Sequence, residues 1–289
     1  SSVCSGIVSD VSNDDIVRLM VGRELQNRFN AMKENVSNLA HETVFEVRNV
    51  TSRDRKKVRD ISFSVCRGEI LGFAGLVGSG RTELMNCLFG VDKRAGGEIR
   101  LNGKDISPRS PLDAVKKGMA YITESRRDNG FFPNFSIAQN MAISRSLKDG
   151  GYKGAMGLFH EVDEQRTAEN QRELLALKCH SVNQNITELS GGNQQKVLIS
   201  KWLCCCPEVI IFDEPTRGID VGAKAEIYKV MRQLADDGKV ILMVSSELPE
   251  IITVCDRIAV FCEGRLTQIL TNRDDMSEEE IMAWALPQE

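Results

Sequence analysis

The stretch ILGFAGLVGSGRTELMNCLF, residues 70–89, decides the fold. It begins with an apolar run that ends in glycine, which indicates a buried strand, and residues 81–89 then have the character of a helix. Between them, residues 75–82 fit the pattern G-x-x-x-x-G-K-[ST] except at Arg81, which stands in place of lysine. A strand, a glycine loop and a helix in this order are the context in which such a loop binds phosphate groups.

The chemistry of this loop explains its composition. Glycines allow backbone N–H groups to converge on phosphate oxygens, and the helix N-terminus adds partial positive charge. Thr82 can place its hydroxyl on Mg²⁺, whereas Arg81 keeps the charge of lysine in a bulkier, planar group. A strand-to-helix turn without a ligand stays open as an alternative. The predicted ATP-binding residues of the loop are Gly75, Leu76, Val77, Gly78, Ser79, Gly80, Arg81 and Thr82.

A second apolar run, residues 209–214, ends in two carboxylates. Packing alone does not require Asp213 and Glu214 at the end of a buried strand. Asp213 is placed to hold Mg²⁺ through water at the carboxyl end of the sheet. Glu214 is placed to orient or polarise an attacking water, which makes it the candidate catalytic residue. An ordinary solvated strand end is the alternative.

The pattern of the whole chain predicts an α/β fold with a mainly parallel sheet, because strands alternate with helices. Residues 131–205 differ, since they are mostly helical in pattern and contain a glycine-rich loop at 149–157. A helix is predicted over residues 10–29, followed by a polar linker over 30–42. Strands are predicted at 43–50, 61–65, 70–75, 96–102, 119–123, 209–212, 240–244 and 258–261, and further helices at 81–89, 222–236 and 247–254.

Composition excludes several classes of protein. The net charge of −4, from 37 basic and 41 acidic residues, offers no basic excess for a nucleic-acid partner. The longest nearly apolar stretch, residues 70–78, is far shorter than the roughly 20 residues that span a bilayer, so another chain must do any spanning. Nine cysteines without a C-x-x-C pair indicate reduced, buried thiols, and scattered His41, His160 and His180 suggest no metal site. The first residue is Ser1 rather than Met, which suggests a piece of a longer protein.

The third motif is LSGGNQQK, residues 189–196, which begins a predicted helix. Ser190 could simply cap that helix, but the motif also lies 114 residues after Gly75 (189 − 75) and 24 before Asp213 (213 − 189). With these spacings the chain resembles the ATP-binding cassette (ABC) ATPases. The resemblance implies that two cassettes sandwich two ATP molecules, with each signature gripping the γ-phosphate held by the other cassette's glycine loop. It assigns that role to Leu189, Ser190, Gly191, Gly192, Asn193 and Gln194, and the D-loop to Asp220.

Several segments narrow the resemblance. GLVGSGRTEL, ITESRRDNG, LSGGNQQK, FDEPTRGIDVGAK and VSSELPE are similar to the second cassette of monosaccharide importers of the ribose, galactose, xylose and allose type, and residues 14–25 resemble the tail of a first cassette. The resemblance implies a P-loop NTPase ABC fold with a parallel core sheet, a small antiparallel β subdomain and an inserted helical subdomain at about 131–205. Residues 1–40 would be tail and linker, and 41–289 the nucleotide-binding domain.

The implied function is ATP hydrolysis with Mg²⁺ that energises the import of a monosaccharide, with D-allose as the sugar indicated. The implied partners are a first cassette in the same polypeptide, membrane permease subunits and, indirectly, a periplasmic sugar-binding protein, and no nucleic acid. The implied location is peripheral, on the cytoplasmic face of the inner membrane. An ABC protein that acts on ribosomes or DNA is an alternative, but the basic or zinc-bearing insertions of such proteins are absent from the sequence.

Four departures from an active cassette fall on one site. Arg81 replaces the phosphate lysine, Glu124 stands where most cassettes have glutamine, and Ser246 stands in place of the switch histidine. Glu124 and Ser246 are therefore assigned to the ATP site together with the glycine loop. Residues 51–59 contain no aromatic side chain to stack on adenine. We therefore expect a degenerate home site, a signature that completes the partner's site, and little or no hydrolysis by the isolated fragment. A regulatory module that never hydrolyses ATP is the alternative.

Overall fold

The computed structural model describes residues 42–149 and 161–287. The predicted helix over 10–29, nearly all of the linker, the glycine-rich loop beyond residue 149, His41 and His160 lie outside these residues. Strands and helices are numbered along the described chain. The strands are β1 (Thr43–Ser52), β2 (Ile61–Cys66), β3 (Ile70–Gly75), β4 (Arg94–Leu101), β5 (Lys104–Asp105), β6 (Met119–Ile122), β7 (Val209–Asp213), β8 (Val240–Val244), β9 (Arg257–Cys262) and β10 (Arg265–Thr271).

The helices in the described ranges are α1 (Arg81–Phe89), α2 (Pro111–Lys116), α3 (Ile137–Asp149), α4 (Glu161–Leu174), α5 (Gly191–Leu203), α6 (Val221–Asp236), α7 (Leu248–Val254) and α8 (Glu278–Ala285). A π-helical turn spans Arg126–Gly130, and a 3₁₀ turn spans Ile186–Glu188. None of the helices in the described part is long and apolar enough to cross a membrane.

Two sheets form the architecture of the described residues. The larger has the order β10-β9-β3-β8-β7-β6, and it is parallel except for the antiparallel edge strand β10. The smaller has the order β2-β1-β4-β5 and is antiparallel throughout. The carboxyl ends of β3, β7 and β8 therefore lie side by side at one edge of the larger sheet, where ligands of open α/β sheets bind. The expected parallel core sheet and small antiparallel sheet are confirmed.

The hydrophobic core is divided by these sheets. One cluster packs between the two sheets around Phe45, Phe73 and Phe261, and a second lies on the other face of the larger sheet, against α6, α7 and α8. A third, separate cluster joins α3, α4 and α5 around Ile137 and Val197. The predominantly helical stretch thus has a small core of its own, in keeping with the expected fold, while the subdomain bounds of about 131–205 stay a prediction.

Most predicted elements are present with bounds that differ by one or two residues. Four elements were not predicted, namely β5, β10, α2 and α8. Helix α2 has six residues and is set by local chemistry, because Ser110 accepts a hydrogen bond from the Asp113 amide and Pro111 occupies the first turn. Strand β10 is an edge strand with only partly buried and exposed side chains, so it has no apolar run to reveal it.

Candidate nucleotide-binding site

The glycine-rich loop joins the interior strand β3 to helix α1. Gly75 and Gly80 have φ angles of +148° and +105°, which favour glycine. A Cβ atom at Gly75 would lie 2.4 Å from the carbonyl oxygen of Phe261, and one at Gly80 would lie 2.2 Å from that of Lys57. Close backbone packing therefore requires both glycines. The loop leads directly into the N-terminus of α1, where amides without helical partners attract phosphate.

The hydroxyl of Ser79 fits a phosphate ligand in this loop. Ser79 is buried, and its Oγ atom has no hydrogen-bond partner within residues 42–149 and 161–287, although buried polar atoms normally have one. A phosphate oxygen in the loop would supply that partner. Val77, by contrast, is 92% exposed, so the outer side of the loop is open.

Asp213 lies at the end of β7 and meets two hydroxyls. The side chain is 1% exposed, and it accepts hydrogen bonds from Thr82 Oγ1 at 3.3 Å and from Tyr121 Oη at 2.8 Å. Burial raises the pKa of Asp213, and these two hydrogen bonds oppose the shift. Burial also raises the pKa of Tyr121, which the Asp213 charge reinforces. The structure thus brings together the two residues that the sequence assigns to Mg²⁺.

These oxygens suit a magnesium ion. Mg²⁺ prefers oxygen ligands and is usually held by one or two protein groups together with substrate phosphates and waters. Thr82 and Asp213 supply such a pair beside the glycine loop. No cluster of three or more His, Cys, Asp or Glu side chains that could hold a metal occurs in the described ranges. The hydroxyl of Thr82 and the carboxylate of Asp213 therefore fit a magnesium ion that is also bound by nucleotide phosphates.

Arg81 points its guanidinium away from solvent. The residue is 7% exposed, and Nη1 donates a hydrogen bond to the Ser245 carbonyl, just after β8, at 2.6 Å. Burial lowers the pKa of Arg81, while the charges of Glu214 and Asp213 oppose that shift. Arginine remains protonated in proteins. Its charge is therefore placed next to the acidic ends of the strands.

Glu214 occupies a strained backbone position. Its φ angle of +49° is uncommon for a residue other than glycine. Its amide donates to the Val244 carbonyl at 2.9 Å, and its Oε2 accepts a hydrogen bond from Ser246 Oγ at 3.2 Å. Burial raises the pKa of Glu214, and the Ser246 hydrogen bond and the Arg81 charge work against it. The predicted catalytic carboxylate and the predicted switch position are in direct contact.

Glu124 forms an ion pair with Arg217. Both side chains are largely exposed, so the pair contributes little to stability. Its consequence is electrostatic: the added negative charge that the sequence places near the phosphates has a cationic neighbour on the loop after β7. Sequence reasoning missed Arg217, because its position in TRG carries no pattern of its own.

The signature residues form the start of α5. The side chain of Ser190 does not cap the helix; its Oγ accepts a hydrogen bond from Asn193 Nδ2 at 2.9 Å. Leu189 is buried and packs with the core of α3, α4 and α5, and Gln194 Nε2 donates to the Ile186 carbonyl at 3.4 Å. The simple capping role considered for Ser190 is therefore not what the structure shows.

The two signature glycines allow close contacts. A Cβ atom at Gly192 would lie 2.5 Å from Ala223 Cβ, and one at Gly191 would lie 3.0 Å from Nη1 of Arg126. Asp220 lies between these elements as the N-cap of α6, where its side chain accepts a hydrogen bond from the Ala223 amide at 3.0 Å. The signature and the D-loop position are thus packed together in one chain.

Glu250, on α7, is a site residue that the sequence did not reveal. It is buried and accepts hydrogen bonds from Thr216 Oγ1 at 2.7 Å, from Ser245 Oγ at 2.9 Å and from Lys224 Nζ at 2.8 Å. Burial by itself would raise the pKa of Glu250, but hydrogen bonds from Lys224, Thr216 and Tyr228 outweigh burial and lower the pKa. Glu250 thereby ties the loop after β7 to the loop after β8. It is the last residue of VSSELPE, but the resemblance of that segment to the importers assigns it no role.

Comparison with known proteins adds to this geometry. A family model described as ABC transporter matches residues 58–217. The ribose import ATP-binding protein RbsA of Bacillus cereus is 42% identical over 280 residues, which cover 96% of this chain and 54% of that protein. The galactose/methyl galactoside import ATP-binding protein MglA of Fusobacterium nucleatum is 44% identical over 275 residues, covering 95% and 53%. The chain spans about half the length of the curated relatives it matches.

Solved structures show the same fold. A nucleotide-free ATP-binding cassette from an ABC transporter superposes with a TM-score of 0.71 at 21% identity, covering 86% of this chain and all of that one. A dimeric cassette in a post-hydrolysis state, bound to ADP and Pi, has a TM-score of 0.66 at 20% identity and covers 79% and 99%. The described architecture is therefore that of an ABC ATPase cassette.

Proposed function

Because this chain belongs to the ABC transporter family, we propose that it binds ATP with Mg²⁺ and forms part of an ATPase that energises sugar import. The contact between Thr82 and Asp213 is the observation that carries the proposal. It joins a glycine loop to an acidic strand end in the arrangement that phosphoryl-transfer sites of this class use.

The residues divide into two groups with different tasks. The glycine loop from Gly75 to Thr82 would hold the phosphates, with Ser79 as a side-chain donor, and Thr82 and Asp213 would hold the ion. Glu214 orients the attacking water, and Ser246 keeps its carboxylate in place. Mg²⁺, when bound, neutralises charge that develops on the phosphates.

We also propose that the home site and the signature serve different ATP molecules. The substitutions at Arg81, Glu124 and Ser246 lie around the home site, whereas LSGG is complete. Arg81 contacts Ser245, and Glu124 pairs with Arg217. The home site then binds nucleotide with slow turnover, and the signature completes a working site whose glycine loop belongs to a first cassette. A regulatory module without hydrolysis differs from this only in the turnover of the assembled protein.

The relatives support the sugar class and the membrane partners that we propose. Their names attribute ribose import and galactose/methyl galactoside import to them, so we propose a monosaccharide of this group; D-allose is the specific candidate from the sequence resemblance alone. Each relative is about twice the length of the matched segment, which supports a first cassette before residue 41 and a nucleotide-binding domain over 41–289. The protein then works on the cytoplasmic face of the inner membrane with permease subunits and a periplasmic binding protein.

We place the permease contact on the helical subdomain. Phe132 and Phe135 stack with ring centroids 5.1 Å apart, and both are partly exposed. Next to them lies a cavity of about 410 Å³ with an apolar lining that includes Phe135, Ala138, Ala142 and Ile143. A cysteine at the exposed Asn129 should cross-link to the permease, and a cysteine at Arg265, on the edge strand β10, is the matched control.

The test of the whole proposal uses the full-length protein with its permease in proteoliposomes. Uptake of ribose, galactose and allose and the release of phosphate are measured together, with Thr82→Ala and Asp213→Asn beside the wild type. ATP-dependent uptake of one sugar supports import. Nucleotide binding without any sugar-stimulated hydrolysis supports the regulatory module, and the absence of nucleotide binding refutes both.

A further inference from the structure

Arg126 connects two parts of the site that the chain itself keeps far apart. Its Nη1 donates a hydrogen bond to the Gly191 carbonyl at 2.8 Å, and its Nη2 donates to the carbonyls of Arg217 and Gly218, each at 3.2 Å. Gly191 is the first residue of the signature helix, whereas the other two lie in the loop after β7. One guanidinium therefore joins the helical subdomain to the core of the nucleotide-binding fold.

The turn that carries Arg126 is itself well defined. Ser125 caps it, since its Oγ accepts a hydrogen bond from the Asp128 amide at 3.3 Å and donates one to the Asp128 carboxylate at 2.5 Å. The Phe131 amide closes the turn on the Arg126 carbonyl at 3.1 Å. The backbone of Arg126 is thus fixed before its side chain reaches across to α5.

A second contact attaches the far end of this turn to the same helix. Lys201 Nζ donates a hydrogen bond to the Gly130 carbonyl at 2.5 Å. A Cβ atom at Gly130 would lie 2.8 Å from Leu198 Cδ1, so the backbone packs directly on α5. The turn over residues 126–130 is therefore attached along α5 at both ends, ten residues apart on the helix (201 − 191).

We infer that Arg126 is a positioning residue that holds the start of the signature helix against the Arg217–Gly218 loop. An arginine suits this task, because its planar guanidinium offers five donors in a fixed fork and can bridge several carbonyls at once. The inference rests on the proposed function only for its consequence: the signature amides must be preorganised to stabilise a partner's γ-phosphate. The contact itself is independent of that function.

The ion pair between Glu124 and Arg217 lies beside this contact. The side chain of Arg217 forms the ion pair with Glu124, and the carbonyl of Arg217 accepts a hydrogen bond from Arg126. Residues 124–126 therefore contact the same loop at two points. A displacement of the 124–126 segment therefore moves the loop after β7 and the signature start together. That coupling distinguishes Arg126 from a residue that only stabilises its own turn.

The first experiment measures amide exchange in the full chain and needs no ATPase activity. Arg126→Met should speed exchange about tenfold in the segments 186–198 and 214–221, because a hydrogen bond from a charged group is lost from each. Strand β7, residues 209–213, serves as the internal reference, and Arg265→Met as the matched variant. Unchanged exchange in both segments overturns the inference. If Arg126→Met loosens the whole domain, Arg126→Lys is measured instead. Faster exchange that is confined to the two segments supports the inference, whereas unchanged exchange in both segments overturns it.

The second experiment measures steady-state hydrolysis by the full-length protein with its permease. Arg126→Met should lower kcat about tenfold and leave KM for ATP within about twofold, since the residue acts on the transition state rather than on nucleotide capture. Arg126→Lys should recover part of kcat. A change in KM alone contradicts a positioning role. If the wild type does not hydrolyse ATP, the proposed function fails. The amide-exchange experiment still tests whether Arg126 holds the signature helix against the Arg217–Gly218 loop.

Discussion

The glycine-loop region and the signature region of this chain differ in how closely they match the ABC ATPase motifs. Around the glycine loop, Arg81 is turned towards Ser245 and Ser246 bonds to Glu214. At the signature, LSGG is complete, and Arg126 donates a hydrogen bond to the carbonyl of Gly191, the first residue of α5. In the function that we propose, the first region departs at groups that would act on its own nucleotide, while the second retains the groups that would act on a partner's. If the proposal holds, the difference teaches that a cassette can contribute to catalysis mainly through the signature that it places in its partner's site.

The signature should be the most sensitive point of the assembled transporter. In Gly191→Leu, the side chain would meet Nη1 of Arg126, since even a Cβ atom would lie 3.0 Å away. It would also fill the space through which the helix amides approach the partner's γ-phosphate. We expect sugar-stimulated ATPase to fall on the order of 1,000-fold, the scale of a lost transition-state donor. Phosphate release in proteoliposomes measures this, and a loss of less than tenfold would contradict the comparison.

Each region also contains a buried cation, and the two differ in how they respond to pH. Arg81 stays charged, whereas burial lowers the pKa of Lys201 from 10.5 to about 8. The folded state therefore releases this proton before the unfolded state does, so the unfolding free energy should rise as pH increases from about 8 to 10.5. The rise from this group should be on the order of 3 kcal/mol.

Lys201→Met removes the titrating group and keeps a long side chain. Denaturant unfolding at pH 7.5 and pH 10 should show that the variant lacks this part of the pH dependence. Lys116→Met, on the short helix α2, is the matched control, since Lys116 is exposed. If the unfolding free energy changed equally with pH in Lys201→Met and wild type, Lys201 would not carry a destabilised charge in the folded state.

We expect the home site to bind Mg²⁺ despite its substitutions, so the degeneracy that we propose does not extend to metal binding. Asp213→Asn keeps the shape of the side chain but removes the anionic oxygen that faces Thr82. We expect the affinity gained by adding Mg²⁺ to fall about tenfold, while affinity without metal changes little, because the loop amides remain. Titration of a fluorescent ATP analogue with and without Mg²⁺ measures both. Equal metal dependence in variant and wild type would place the ion elsewhere.

Much of this comparison was accessible from the sequence, and the reason is physical. Strand β3, the glycine loop and α1 each follow from short-range rules: an apolar run, glycines at positive φ and an ordinary helix. The pairing of Thr82 with Asp213 followed from parallel strands, whose carboxyl ends share one edge. Features of this kind depend on spacing that a single sequence displays.

The residues that sequence reasoning missed act at long range. Tyr121 bonds to Asp213 across 92 positions, and Arg126 bonds to Gly191 across 65. Neither lies in a pattern that pairs it with its partner, although a tyrosine hydroxyl in the buried strand β6 was a signal that a polar partner was needed. Glu250 joins two loops in the same way. Such contacts depend on how whole elements pack together. The periodicity within one element carries no information about that packing.

The smallest effect should come from Arg81→Ala, and it is the sharpest test of the comparison. Arg81 donates to Ser245 and is buried beside Glu214 and Asp213, so its loss removes a local cation rather than a contact with a working site. If the working site takes its phosphate lysine from the partner cassette, sugar-stimulated ATPase should stay within about threefold of wild type, which is below 1 kcal/mol. Nucleotide affinity of the isolated chain should fall more than that, because the home loop loses its only cation of the P-loop motif. The paired measurement therefore separates the two regions. A loss of hydrolysis as large as that of Gly191→Leu would mean that Arg81 works at a transition state, and that both sites turn over.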